Sequence, residues 1–144
     1  MSEAQPNAAP LIAVIDDDTE LLKLMVLLLR RISARSTTIA DGQEALHYLA
    51  GHTPDLIILD LMLPHVNGFD ILRRIRSDSR FDRVPVLVLS ARVEPKTIRD
   101  VLEAGADGYV TKPYATNNLI DRVRLLLASG HQSAPPGNPP AGFA

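Results

Sequence analysis

Apolar residues along this chain fall into short unbroken runs separated by clusters of polar, glycine and proline residues. Leu11–Ile15, Leu56–Leu59 and Val84–Leu89 are continuous, β-branched-rich runs of strand length, the pattern of strands covered on both faces in a parallel sheet. Arg35–Ala40 and Tyr109–Thr111 predict two further short strands. Between them the apolar positions change to helical spacing. Helices are predicted over about Glu20–Ile32, from Asp41 through Ala50, Phe69–Ser77, from Pro95 to a stop at Gly105, and Asn118–Ala128. Asp18 or Thr19 offers a cap to the first, Asp41 and Glu44 have capping-box spacing at the second, Pro95 suits a first helical turn, and Thr116 or Asn117 can cap the last. In the third, Ile71, Leu72 and Ile75 share one face, and Arg73, Arg74 and Arg76 read as a solvated one.

Strand and helix thus alternate five times with short connections. This predicts an α/β domain with a five-stranded parallel sheet, doubly wound by right-handed crossovers. In such sheets ligands bind beyond the carboxyl ends of the strands. If the order is 2-1-3-4-5, the flavodoxin-like (βα)5 arrangement, the second strand lies at the edge and the other four surround one crevice. Those four end on Asp16-Asp17, Asp60, Ser90 and Lys112.

A carboxylate at the end of a buried strand is costly without a cation, and three close together repel one another. The chain has no cysteine, and His47, His52, His65 and His131 are scattered, each read as a surface or packing residue. An all-oxygen donor set therefore points to a hard ion, Mg²⁺ or Mn²⁺, with Lys112 as a second cation suited to a phosphoryl oxygen. Asp60 would be a nucleophile toward phosphorus, and Ser90 a hydroxyl donor beside it.

Size and charge narrow the classes. The 144 residues suit one domain, and a formal net charge of -2 without a basic block makes direct nucleic-acid binding a poor expectation. Absence of cysteine is compatible with a reducing compartment, and neither a signal peptide nor a spanning segment is legible, so the cytoplasm is the expected location and no membrane partner is expected. Residues 1–9 read as a flexible N-terminal arm, 10–129 as the folded domain, and 130–144 as a disordered Pro/Gly-rich tail or a truncated linker.

Asp16-Asp17, Asp60, Ser90-Ala91 and Gly105-Ala106-Asp107-Gly108-Tyr109-Val110-Thr111-Lys112-Pro113, in this order and spacing, strongly resemble the receiver domain of bacterial two-component response regulators. The resemblance covers about residues 10–129. It implies that Asp60 accepts a phosphoryl group from a sensor histidine kinase or a phosphotransfer protein. It also implies that Asp17, Asp60 and the Met62 backbone carbonyl hold the metal directly, with Asp16 acting through water. Lys112 would contact the phosphoryl group, with a cis peptide before Pro113, and Ser90 and Tyr109 would form the switch pair. Such a protein is not an enzyme in the usual sense, since it catalyses only its own phosphorylation and dephosphorylation. The switched surface would be the fourth helix, fifth strand and fifth helix, acting on a downstream protein target, a missing output domain or a second copy.

Met62 and Arg92 resemble the residues found at these places in regulators that carry a winged-helix DNA-binding domain, whereas Gly108 and Ala128-Ser129 depart from that pattern. Two other readings are weighed against the stand-alone receiver. One is an aspartyl phosphatase or phosphotransferase, disfavoured because Met62 stands where a second aspartate would act as acid. The other is a degenerate receiver serving as a phosphorylation-independent docking module.

Overall fold

A computed structural model describes residues 8–132. The expected arm and tail lie largely outside them. The elements are β1 (Leu11–Ile15), α1 (Thr19–Arg30), β2 (Arg35–Ile39), α2 (Gly42–Gly51), β3 (Leu56–Asp60), α3 (Gly68–Arg76), a 3-10 turn (Ser79–Phe81), β4 (Val86–Ser90), α4 (Pro95–Glu103), β5 (Gly108–Thr111) and α5 (Thr116–Ser129). The sheet is parallel, as the alternation predicts, and its order is β2-β1-β3-β4-β5, the flavodoxin-like arrangement.

Each inner strand is apolar at successive positions because it feeds two cores. Ile12, Val14, Ile58, Leu87 and Leu89 meet α1 and α5 on one face, while Ala13, Ile15, Ile57, Leu59, Val86 and Val88 meet α2, α3 and α4 on the other. All eleven are fully buried, and a large aliphatic side chain in this position contributes roughly 1.5–3 kcal/mol. Polar Arg35-Ser36-Thr37-Thr38 sits on β2, which has a neighbour on one side only. Among the described residues, no helix is long and apolar enough to cross a membrane.

Most helix starts follow the sequence. Asp18 takes the amides of Glu20 and Leu21, Asp41 those of Gln43 and Glu44, and Pro95 opens α4. The start of α5 differs from expectation. The cap is Ala115, whose carbonyl receives the Leu119 amide, so Thr116 and Asn117 lie inside the first turn rather than capping it. The solvated face of α3 also needs correction at Arg76. That guanidinium is largely buried, donating to the carbonyls of Phe81, Val84 and Gly105 and to Asp107 Oδ2 at 2.8–2.9 Å. Helical spacing reads only the face of α3. It cannot see that carbonyls from three later segments converge on the end of that helix.

Candidate acidic crevice

The carboxyl ends of β1, β3, β4 and β5 surround one crevice. β3 carries Asp60 to the end of its buried run, where the residue is only 4 % exposed; Asp16, directly after β1, is 1 % exposed. Asp17 is exposed beside them. One carboxylate oxygen from each of the three lies within 4.8 Å of the others. Lys112, directly after β5, reaches into this group: its Nζ is 2.7 Å from Asp16 Oδ2 and 3.4 Å from Asp60 Oδ2. The Lys112–Pro113 peptide is cis.

Backbone amides complete the framework. Asp16 Oδ1 accepts from the Asp18 amide and Asp60 Oδ1 from the Met62 amide, at 2.9 and 3.0 Å. The turn after β3 closes tightly because α3 begins on Gly68, where a Cβ would stand 2.5 Å from the Asp60 carbonyl oxygen. Only glycine allows that approach.

The electrostatics follow from burial. Removal from water pushes the Asp60 carboxyl up to about 6 and Asp16 adds to the rise, while the Met62 amide and Lys112 pull it back. Burial opposes the charge of Lys112, but the hydrogen bond and attraction of Asp16, with Asp60 behind it, outweigh burial and raise the ammonium above its ordinary value. The crevice thus holds three carboxylates against one lysine. Such an oxygen donor set, partly buried and short of positive charge, fits a hard divalent ion.

Ser90 ends β4 fully buried, and its Oγ accepts from the Arg92 amide at 3.1 Å. Tyr109, on β5, is half-buried, and its hydroxyl donates to the Arg92 carbonyl at 2.8 Å. Burial raises its phenol above the ordinary value. An open cleft of about 890 Å³ runs from the crevice between the loop after β3 and the start of α4, lined by Asp17, Met62, Pro64, Arg92 and Thr97 among others.

Asp16, Asp17, Asp60 and Lys112 thus come together here, with Ser90 at the end of the neighbouring strand and Tyr109 beyond it. Two features were not legible. Tyr114 buries its hydroxyl with no hydrogen-bond partner among the described residues. His131, expected at the surface or in packing, is largely buried with Nδ1 2.7 Å from Asp107 Oδ1. No motif marks either, since each depends on a chain segment distant in sequence.

Fold and crevice together define a flavodoxin-like domain with an acid and lysine site at the carboxyl end of its sheet. The family model for the response regulator receiver domain matches residues 12–124, and the chain belongs to that family. It is 40% identical over 116 residues to the DNA-binding response regulator MtrA of Mycolicibacterium smegmatis, an alignment spanning 81% of this chain and 50% of that protein. The chain thus spans about half the length of the curated relatives it matches. Among solved structures, the Francisella response regulator 1452 receiver domain superposes with a TM-score of 0.77 at 30% identity, covering 83% of this chain and 97% of that one. The receiver domain of the sensor histidine kinase PA1611 from Pseudomonas aeruginosa, whose structure has a magnesium ion coordinated in the active site cleft, gives 0.76 at 27% identity, covering 85% and 100%.

Proposed function

We propose that this chain is a phosphoreceiver in which Asp60 takes a phosphoryl group from a phosphohistidine on a sensor kinase or phosphotransfer protein. An Asp60 oxygen bonds to phosphorus as the phosphorus–nitrogen bond breaks; the electron pair leaves on the imidazole nitrogen, which a proton then neutralises. The observation that carries this reading is Lys112 Nζ standing between the oxygens of Asp16 and Asp60, with Asp17 completing an all-oxygen donor set.

Asp17, Asp60 and the Met62 carbonyl would hold Mg²⁺ or Mn²⁺, with Asp16 acting through water. The ion supplies charge stabilisation for the transferring group. Lys112 draws a phosphoryl oxygen, and Asp16 holds Lys112 in place by the 2.7 Å contact. Ser90 Oγ turns from the Arg92 amide toward the new group, and Tyr109 follows. Phosphorylation adds about -1.5 to -2 charges at that point, which biases the surface of α4, β5 and α5 toward its partner. That partner is a downstream protein, an attached output domain or a second copy; MtrA is named as DNA-binding, and in this reading the domain described here does not itself touch nucleic acid.

Incubation with acetyl phosphate and Mg²⁺, followed by intact mass, tests the proposal. A gain of one phosphoryl group, abolished by Asp60→Asn and by chelation, is expected. No gain on the folded protein would leave the docking-module reading ahead.

A further inference from the structure

At the opposite end of the sheet from the crevice, five segments are tied to one buried carboxylate. Asp107 Oδ2 accepts from the Arg76 guanidinium at 2.9 Å and from the Val86 amide, which opens β4, at 3.0 Å. Arg76 in turn holds Phe81 and Val84, which precede β4, and Gly105, in the turn between α4 and β5. The remaining oxygen, Oδ1, faces His131 Nδ1 at 2.7 Å. A carboxylate shared with a guanidinium can only accept, so Nδ1 carries the proton.

His131 lies beyond α5. The helix ends on Gly130, whose amide still reaches the Leu126 carbonyl at 2.8 Å, and the His131 amide donates to the Arg83 carbonyl at 3.1 Å. Gly130 adopts φ +68 and ψ -174, a region open essentially to glycine alone, and a Cβ there would lie 3.2 Å from the Arg83 carbonyl oxygen. The backbone therefore reverses out of the helix and presses the imidazole onto Asp107. Side chains of His131 and Asp107 are 12 and 9 % exposed, so water competes poorly for the bond.

We propose that His131 is a positioning residue, a latch that fixes where the chain leaves the domain by tying it to Asp107 and, through Arg76, to the turn between α4 and β5. The exit is then set by the amino end of the sheet and not by the fraying of α5. A helix end without such a contact splays through several directions. No group in the latch touches the acidic crevice.

The chain has no cysteine, so paired spin labels can be placed at will. Labels on Gln132→Cys and on the exposed Glu44→Cys report the exit direction as a distance distribution, and hydrogen exchange reads the His131 amide. A narrow distribution is expected in the otherwise native protein. His131→Ala should broaden it and speed exchange of the His131 amide by about tenfold, the loss of one hydrogen bond. His131→Asn, whose amide nitrogen can stand close to the place of Nδ1, should restore both, while circular dichroism stays unchanged in all three. A broad distribution in the native protein, or a narrow one in His131→Ala, overturns the latch. If His131→Ala fails to fold, nitrogen-15 spectra of the native protein decide: a slowly exchanging Nδ1 proton supports it, and the Nε2-protonated tautomer refutes it.

Discussion

Ser90 and Tyr109 grip the same residue from opposite sides, the serine oxygen on the Arg92 amide and the tyrosine hydroxyl on the Arg92 carbonyl. They lie on adjacent strands, and the Arg92 backbone links them through these two bonds. Ser90→Ala leaves the Arg92 amide without its acceptor and should cost about 1 kcal/mol in urea unfolding. In the proposed switch, amide spectra of the native protein should show Arg92 and Tyr109 shifting together on phosphorylation. In Ser90→Ala the Tyr109 shift should shrink while Asp60 is still modified.

Asp60 carries a carboxyl raised from 3.8 to about 6 by burial and by Asp16. The folded state holds this proton more tightly than the unfolded chain, so the contribution to stability is full below the unfolded value and is lost as pH rises through the folded one. Metal-free protein should lose roughly 2–3 kcal/mol from this group between about pH 4 and pH 7. Asp60→Asn should lack that slope and be the more stable protein at neutral pH in chelator. Urea titrations at both ends of the window check it.

Removing Lys112 leaves two buried carboxylates facing each other. Lys112→Met should cost about 2–4 kcal/mol in the absence of metal. Added Mg²⁺ should recover more stability in the variant than in the native protein, since it then supplies the positive charge; thermal melts with and without chelator measure the difference. Phosphorylation by acetyl phosphate should fall sharply even with metal present.

Arg76→Met would fill similar space but strip Asp107 of its charge partner and three carbonyls of their donor. About 3–5 kcal/mol of destabilisation is expected, measurable in chemical unfolding. Arg73→Met should move stability by less than about 1 kcal/mol, because Asp70 is 3.7 Å away, both side chains are mostly in water, and the contact of Arg73 with the Phe69 ring is an exposed one.

Tyr114→Phe should go the other way. Its hydroxyl is buried without a partner among the described residues, so deleting it removes a desolvated polar group at no loss of bonding. Stability should hold or rise by about 1 kcal/mol.

Much of this molecule can be read along the chain because its strands are buried on both sides. Leu56–Leu59 and Val86–Leu89 leave no doubt of their environment, and the polar residue that ends each run marks the crevice. Asp16, Asp60, Ser90 and Lys112 were legible for the same reason: in a parallel sheet every strand surfaces at the same edge. The amino edge offers no such rule. Arg76, Asp107 and His131 end a helix, precede a strand and trail a helix, so nothing in local periodicity brings them together. Thr116 and Asn117 misled because a good capping side chain is a preference, and the carbonyl of Ala115 sufficed.

Asp16 and Lys112 touch across 96 residues of sequence. A chain emerging from the ribosome would therefore carry all three acids, and the strands that position them, before the lysine appeared. Until β5 docked beside β4, those acids would be an unbalanced negative patch, unable to hold a phosphoryl group. Competence for the proposed chemistry would arrive late and at a single step of synthesis, and a truncated product would be silent in signalling instead of partly active.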